Sequence, residues 1–153
     1  MTPPPAPDLP LTGGCNCGAV RFEIHEPFVS AVYCHCTRCQ RRTGTAASAN
    51  GRTAPGSFRI VQGEDRLRSW KPEIGAEKFF CGDCGSAMFS ATSGDPPTIG
   101  VRLGALDGDP GIRPAARQFV AYAAAWEELP DDGLPRYPES QRAGMTPGAD
   151  ERG

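Results

Sequence analysis

The sequence lacks the features that mark membrane-bound, secreted and nucleic-acid-binding proteins. It has no apolar run near the length of a membrane span, and its start, Met1-Thr-Pro-Pro-Pro, has neither the basic region nor the apolar stretch of a secretory signal. Lys and Arg together number 16 against 18 Asp and Glu, and they form no extended basic stripe with aromatic partners. We therefore expect a cytoplasmic protein with no membrane and no nucleic-acid partner.

Long helical patterns are also missing, because 19 Gly and 16 Pro residues interrupt the chain throughout. Short alternating segments take their place, and in the first of them Val20, Phe22 and Ile24 share one face. The clearest predicted strands are 20–25, 58–61, 78–81, 87–89, 99–103 and 118–122. With 153 residues, 39% of them hydrophobic, the sequence predicts a single, mainly β domain with little helix and a modest core.

The two ends of the chain differ in composition from its middle. Residues 1–11 contain five prolines, and residues 139–153 are polar and nearly free of apolar side chains. We expect both segments to be disordered, which leaves 12–138 as the folded domain. The large aromatic residues of that domain are expected in its core, and they are Phe80, Phe89, Phe119 and Trp126.

Cysteines are few, but all seven fall into three tight clusters. The clusters are Cys15-Asn-Cys17, Cys34-His-Cys36-Thr-Arg-Cys39 and Cys81-Gly-Asp-Cys84. An odd number would leave one thiol unpaired in a disulfide framework, whereas thiols at these spacings are typical zinc ligands. A closed all-thiolate zinc site takes four cysteines, and three then remain for a second site with one position open. The sequence therefore predicts two zinc ions per chain.

Glycines indicate which cysteines share a metal ion. Gly18 follows Cys17 directly, and Gly85 follows Cys84. Glycine adopts the left-handed conformation that turns backbone N–H groups towards a bound sulfur, without a Cβ clash. Pairing the first cluster with the last would close a long loop with a structural zinc held by Cys15, Cys17, Cys81 and Cys84.

The middle cluster has a different pattern. On an extended segment, Cys34 and Cys36 project to one side and His35 to the other, and Cys39 returns to the same metal after a turn. Three protein ligands and an open fourth position are typical of a catalytic zinc, where water or a substrate thiol would bind. The rival interpretation is a structural zinc whose fourth ligand is His35, His25 or a distant side chain.

These motifs, in this order, resemble the glutathione-dependent formaldehyde-activating enzyme family, also called the GFA or centromere protein V domain family. The matching segments are Gly14-Cys15-x-Cys17-Gly18-x-Val20, Cys34-His35-Cys36-x-x-Cys39, Phe80-Cys81-x-x-Cys84-Gly85, Gly104-Ala-Leu106-Asp107, Phe119-Val120, Trp126 and Leu134-Pro135-Arg-Tyr137. The resemblance covers about Leu11 to Pro138, which is nearly all of the predicted domain.

The resemblance implies a fold, a metal content and an activity. The implied fold is a β-tent of small, coiled antiparallel sheets, with a structural zinc on the first and last cysteine pairs. The implied second zinc is held by Cys34, Cys36 and Cys39. The implied activity is that of a carbon–sulfur lyase, which forms or cleaves a thiol–aldehyde adduct such as S-hydroxymethylglutathione. Two positions depart from the family pattern: Lys78 stands where Arg is frequent, and Arg117 where His is frequent.

The hypothesis from the sequence is that the second zinc holds a substrate thiol as a thiolate beside an aldehyde carbon, with glutathione as co-substrate. Arg38, Arg41 and Arg42 are candidate contacts for glutathione carboxylates, because Arg binds a carboxylate through two parallel hydrogen bonds. A solvated basic turn is the alternative for these arginines. For the whole protein, the alternative is a non-catalytic zinc-binding module for protein interaction. The oligomeric state is left open.

Overall fold

The computed structural model describes residues 2–140. The strands are β1 Leu11–Gly14, β2 Arg21–Ile24, β3 Ser30–Cys34, β4 Ser48–Arg52, β5 Phe58–Gln62, β6 Leu67–Trp70, β7 Glu77–Cys81, β8 Ala87–Ala91, β9 Ile99–Arg102 and β10 Arg117–Gln118. The helix α1 spans Thr37–Thr43, and short 3-10 turns cover Glu64–Arg66, Leu103–Ala105 and Val120–Tyr122. The prediction of a mainly β fold with little helix is confirmed. Over this part of the chain, no helix is both long enough and apolar enough to cross a membrane.

The strands form two sheets. The smaller sheet has the order β1-β2-β5, and the larger has the order β10-β3-β4-β9-β8-β7-β6. Both are antiparallel except that β10 runs parallel to β3, pairing Arg117 with Tyr33 and Gln118 with Cys34. The larger sheet is therefore mixed, because β10 follows a long connection from β9 and enters beside β3 in the same direction.

The core lies between the two sheets. Phe22 and Ile24 of β2 are fully buried, as is Val101 of β9. The ring of Phe58 bridges the sheets, because its centroid lies 5.2 Å from that of Phe22 and 4.7 Å from that of Phe89. Burying side chains of this size stabilises the fold by about 1.5–3 kcal/mol each.

The larger sheet has a second, polar face. Phe79, Phe89 and Val101 belong to the core, so Lys78, Ser90, Gly100 and Arg102 beside them point to the opposite side. Met88, next to an irregularity of the register, also lies in the core. The register places Lys78 beside Ser90, Ser90 beside Gly100, and Asn50 beside Arg102 on that side. We call this surface the polar face and define it by Asn50, Lys78, Ser90, Gly100 and Arg102. The helix α1 packs against β4.

The last predicted strand was wrong, and so were two of the predicted core residues, because Trp126 is exposed and Phe80 is only half-buried and lies outside the core. The strand stops at Gln118, because Phe119 takes a left-handed conformation (φ 58°) and a 3-10 turn follows at Val120–Tyr122. This bend directs Phe119 inward, where it is 3% exposed. Trp126 is 70% exposed, since the chain beyond the 3-10 turn runs over the surface.

Residues just outside the predicted domain, 12–138, are hydrogen-bonded to it. Leu11, assigned from the sequence to the N-terminal segment, is buried and begins β1. At the other end, the amide of Phe119 donates to the carbonyl of Glu139 over 2.8 Å. Disorder of residues 1–11 and 139–153 stays a prediction, and residues 1 and 141–153 lie outside the described part of the chain.

Two candidate metal centres

The first and last cysteine pairs meet between the two sheets. Cys15 and Cys17 follow β1, while Cys81 ends β7 and Cys84 lies in the turn before β8. Their sulfur atoms all lie within 4.8 Å of one another, with Cys15 Sγ 3.6 Å from Cys17 Sγ and Cys17 Sγ 3.8 Å from Cys81 Sγ. Tetrahedral ligation with Zn–S bonds of about 2.3 Å places the sulfurs about 3.8 Å apart, so the spacing fits zinc.

The backbone around this site is arranged to support thiolates. Gly18 and Gly85 both have φ of 78°, the left-handed conformation expected after Cys17 and Cys84. The amide of Val20 donates to Cys15 Sγ over 3.3 Å. Hydrogen bonds from the hydroxyl and the amide of Ser86 lower the pKa of Cys84 to about 6. Donors aimed at sulfur favour the deprotonated form that a metal binds.

The middle cluster forms a separate, buried site. Strand β3 ends at Cys34, and Cys36 caps α1, with Cys36 Sγ accepting from the Cys39 amide over 3.3 Å. All three sulfurs lie within 4.8 Å of one another. The cysteines are at most 3% exposed, and Phe119 packs on them. The bend after β10 therefore supplies the apolar cover of this site.

The thiols of this site differ in pKa. Hydrogen bonds from Cys34 and Cys36 lower the pKa of Cys39 to about 2, and the charge of Arg102 acts in the same direction. The contacts with Cys36 and Cys39 raise the pKa of Cys34. A thiolate at Cys39 is therefore held by two neighbouring thiol donors. This arrangement fits a cation that replaces the two shared protons.

Within residues 2–140, no fourth Cys, His, Asp or Glu ligand atom joins this site. The two histidines that the sequence offered as alternatives lie elsewhere. His35 Nε2 is 3.3 Å from Arg117 Nη1, and His25 Nε2 is 3.0 Å from Glu23 Oε1. Burial and the positive charge of Arg117 lower the pKa of His35.

The three arginines after the middle cluster have different surroundings. Arg38 is half-buried, and its guanidinium lies over the ring of Trp70, 5.5 Å from the centroid. Arg42 is also half-buried, whereas Arg41 is exposed. Burial, together with the positive charges of Arg102 and Arg38, lowers the pKa of Arg42 to about 10. Arg38 and Arg42 therefore belong to the surroundings of the site, and Arg41 faces solvent.

The sequence analysis noted Lys78 only as a departure from the family pattern and did not mention Arg102, but both belong to this region. Lys78 is completely buried, and Arg102 Nη1 donates to Asn50 Oδ1. Asn50 in turn donates to the hydroxyl of Ser48 over 2.8 Å, next to Cys39. No local signal placed Lys78 here, because alternation with Phe80 as the expected core residue would put Lys78 on the core side of the strand.

A cavity of about 470 Å³ lies on the opposite side of the Cys34–Cys36 segment. Its lining includes Tyr33, His35, Arg117 and Trp126. The guanidinium of Arg117 lies 4.4 Å from the Tyr33 ring centroid, and its Nη2 donates to Asp132 over 2.7 Å. Tyr33 and Asp132 thus hold the Arg117 side chain from two sides. A histidine is frequent at this position in the family that the sequence resembles.

Comparisons with known proteins agree with the cysteine geometry. A family model described as glutathione-dependent formaldehyde-activating enzyme matches residues 10–122. A Halomonas elongata protein that carries the provisional name of glutathione-dependent formaldehyde-activating enzyme is 28% identical over 105 residues, which are 65% of this chain and 67% of that protein. A Rhodobacter sphaeroides crystal structure covers 82% of this chain and 98% of its own, with a TM-score of 0.53 and 24% identity, and supports the fold. Because the matched residues make up well over half of the sequence, the chain belongs to the glutathione-dependent formaldehyde-activating enzyme family.

Proposed function

We propose that the protein is a zinc-dependent carbon–sulfur lyase that forms or cleaves the adduct of glutathione and formaldehyde, S-hydroxymethylglutathione. The observation that carries this proposal is the buried three-cysteine site, which no fourth donor of the described residues completes. Family membership supports the substrate assignment. A cytoplasmic location remains a prediction, and it agrees with a substrate thiol that must be kept reduced.

The two cysteine sites would have different roles. Cys15, Cys17, Cys81 and Cys84 offer four sulfurs to one ion, and such a closed set is typical of a structural zinc. Cys34, Cys36 and Cys39 offer three, the number of protein ligands in many catalytic zinc sites. We assign one zinc ion to each set.

The proposed chemistry needs a thiolate and an aldehyde in contact. When bound, zinc supplies a positive charge that lowers the pKa of a substrate thiol at the open position. The thiolate sulfur forms a bond to the aldehyde carbon, the carbonyl π electrons move to oxygen, and that oxygen takes up a proton. In the reverse direction the hydroxyl loses its proton, the carbon–sulfur bond breaks, and the aldehyde leaves.

The chain contributes orientation and exclusion of water. Phe119 covers the cysteines on one side, and β3, β4 and α1 hold them from the others. An apolar cover strengthens every electrostatic interaction within the site, because water no longer screens it. Arg38 and Arg42, at the half-buried positions, are the better placed of the predicted carboxylate contacts, and Arg41 is the least well placed.

The test is the rate of interconversion between glutathione plus formaldehyde and the adduct, measured by exchange NMR with the zinc-loaded protein. We expect a rate above the spontaneous one, and its loss in Cys39→Ala. A rate equal to the spontaneous reaction, with two zinc ions bound, would exclude the lyase and favour the alternative of a non-catalytic zinc-binding module for protein interaction.

A further inference from the structure

Lys78 is a buried cation without a partner. Its side chain is 0% exposed, and its Nζ makes no hydrogen bond to any described residue. Burial lowers its pKa to about 8. Keeping a lysine here is costly, because an ammonium group removed from water without an acceptor loses its hydration and gains no hydrogen bond in return. An apolar side chain of similar length would fill the same space at lower cost, so stability does not explain the residue.

The position of Lys78 connects it with the three-cysteine site. It lies on the polar face, between Trp70 on β6 and Ser90 on β8. Of the charges that act on it, the strongest is the Cys39 thiolate, followed by those of Arg102, Arg38 and Arg42. Arg38, which stacks over Trp70, reaches across the same region from α1.

Cations outnumber anions in this region. In the described chain, Lys78, Arg42 and Arg102 form no ion pair with any carboxylate. The positive charge of Arg102 also lowers the pKa of Lys78 and of Arg42, which shows that these groups repel one another. A zinc ion with three thiolates carries a single net negative charge, so it balances only one of the cations. The charges of the other cations favour the binding of a second anion.

The residues of the polar face beside Lys78 are small. Gly100 has no side chain, and a Cβ built there would meet only the Ser90 hydroxyl, at 3.2 Å. Ser90 of β8 and Gly100 of β9 are neighbours, so little side-chain volume projects from this part of the sheet. A planar, oxygen-bearing group is a suitable acceptor for ammonium and guanidinium N–H groups such as those of Lys78, Arg42 and Arg102.

We propose that Lys78, together with Arg42 and Arg102, binds a carboxylate of the substrate thiol and so makes the protein selective for anionic thiols. The inference rests on the proposed function of the three-cysteine site, since it places the carboxylate beside the sulfur. Lys78 is then a specificity-determining residue. A carboxylate accepts hydrogen bonds from the ammonium and the guanidinium groups, which satisfies the buried Nζ.

The experiment is calorimetric titration of the zinc-loaded protein with S-methylglutathione, which keeps both carboxylates of glutathione but has no free thiol. Lys78→Met is compared with Lys71→Met, which removes an exposed lysine seven positions away. We expect Lys78→Met to weaken binding at least tenfold and Lys71→Met to change it less than twofold. We also expect an unchanged or higher melting temperature for Lys78→Met, because a buried unpaired charge is removed.

Equal affinities of Lys78→Met and Lys71→Met would overturn the inference, and so would the absence of millimolar binding by the wild type. If Lys78→Met loses its circular dichroism signal, Arg42→Met at its half-exposed position takes its place, with the same expected loss. Failure of the proposed lyase activity can be distinguished from failure of the proposed carboxylate site. Loss of S-methylglutathione binding in the variant, with no exchange rate in the wild type, supports the carboxylate site and excludes the activity.

Discussion

Cys17 Sγ and Cys81 Sγ lie 3.8 Å apart, although 64 residues separate them in the chain. Cys17 follows a strand of the three-stranded sheet, and Cys81 ends a strand of the seven-stranded sheet. A metal ion shared by them ties together the two sheets that enclose the core. Since the unfolded chain has no such preformed site, the free energy of metal binding becomes free energy of folding.

Replacing Cys84 with Ala is expected to destabilise the protein by about 3 kcal/mol or more, roughly 10 °C in melting temperature for a chain of this size. Cys84 is exposed, so the loss reports the metal site and not a packing cavity. Thermal unfolding with added zinc and with a chelator is the measurement. The chelator should lower the melting temperature of the wild type towards that of the variant. Equal melting temperatures of both proteins in zinc would contradict the structural role.

Gly18→Ala and Gly85→Ala are each expected to lower the free energy of unfolding by about 1–2 kcal/mol, because an alanine at φ of 78° is strained. Nothing lies within 4 Å of a Cβ at either position, so the effect is conformational and not steric. Gly108→Ala is the matched control, since it is equally open and has no left-handed φ. Urea unfolding measures all three. A cost in the control as large as in the variants would point away from the turn geometry.

Asp132 should make stability depend on pH below about 4. The hydrogen bond from Arg117 lowers the pKa of Asp132, so the unfolded chain, with its ordinary pKa near 3.9, takes up the proton first as the pH falls. The stabilisation is therefore complete above that pH and is lost as the pH falls through the lower pKa of the folded protein.

The difference in melting temperature between wild type and Asp132→Asn, followed from pH 6 downward, measures this contribution. It should shrink at the acid end, and Asp131→Asn, at an exposed neighbouring carboxylate outside the ion pair with Arg117, is the matched control. Loss of zinc in acid affects every variant alike and cancels in the difference. A difference that stays constant with pH would show that the ion pair does not stabilise the fold.

Strong alternation made part of the fold predictable. Strands β2, β5, β7, β8 and β9 were found close to their predicted positions, and in all of them except β8, where Met88 and Phe89 are both buried, the core residues alternate along the strand. Left-handed glycines likewise allowed the four-cysteine set to be predicted, and the structure brings those sulfurs together. Both signals are local, since one concerns side-chain direction and the other concerns a single backbone angle.

Tertiary packing decided what the sequence did not reveal. Strand β4, Ser-Ala-Asn-Gly-Arg, has little intrinsic strand preference, and it is extended because it pairs with β3 on one side and β9 on the other. Gly51 is required there because a Cβ would come within 2.8 Å of the Phe28 ring. The helix α1 begins at an unusual cap, the sulfur of Cys36. Lys78 and Arg102 join the three-cysteine site through strand register, which no local pattern predicts.

The central claim is that the Cys34, Cys36 and Cys39 site accepts an external thiol. The most direct measurement is the visible absorption of the protein loaded with two Co²⁺ ions, during titration with glutathione. The predicted result is a saturable change in the thiolate charge-transfer and ligand-field bands of one ion, absent in Cys39→Ala, while the other ion is unaffected. A spectrum that glutathione leaves unchanged, with both ions bound, would contradict the account.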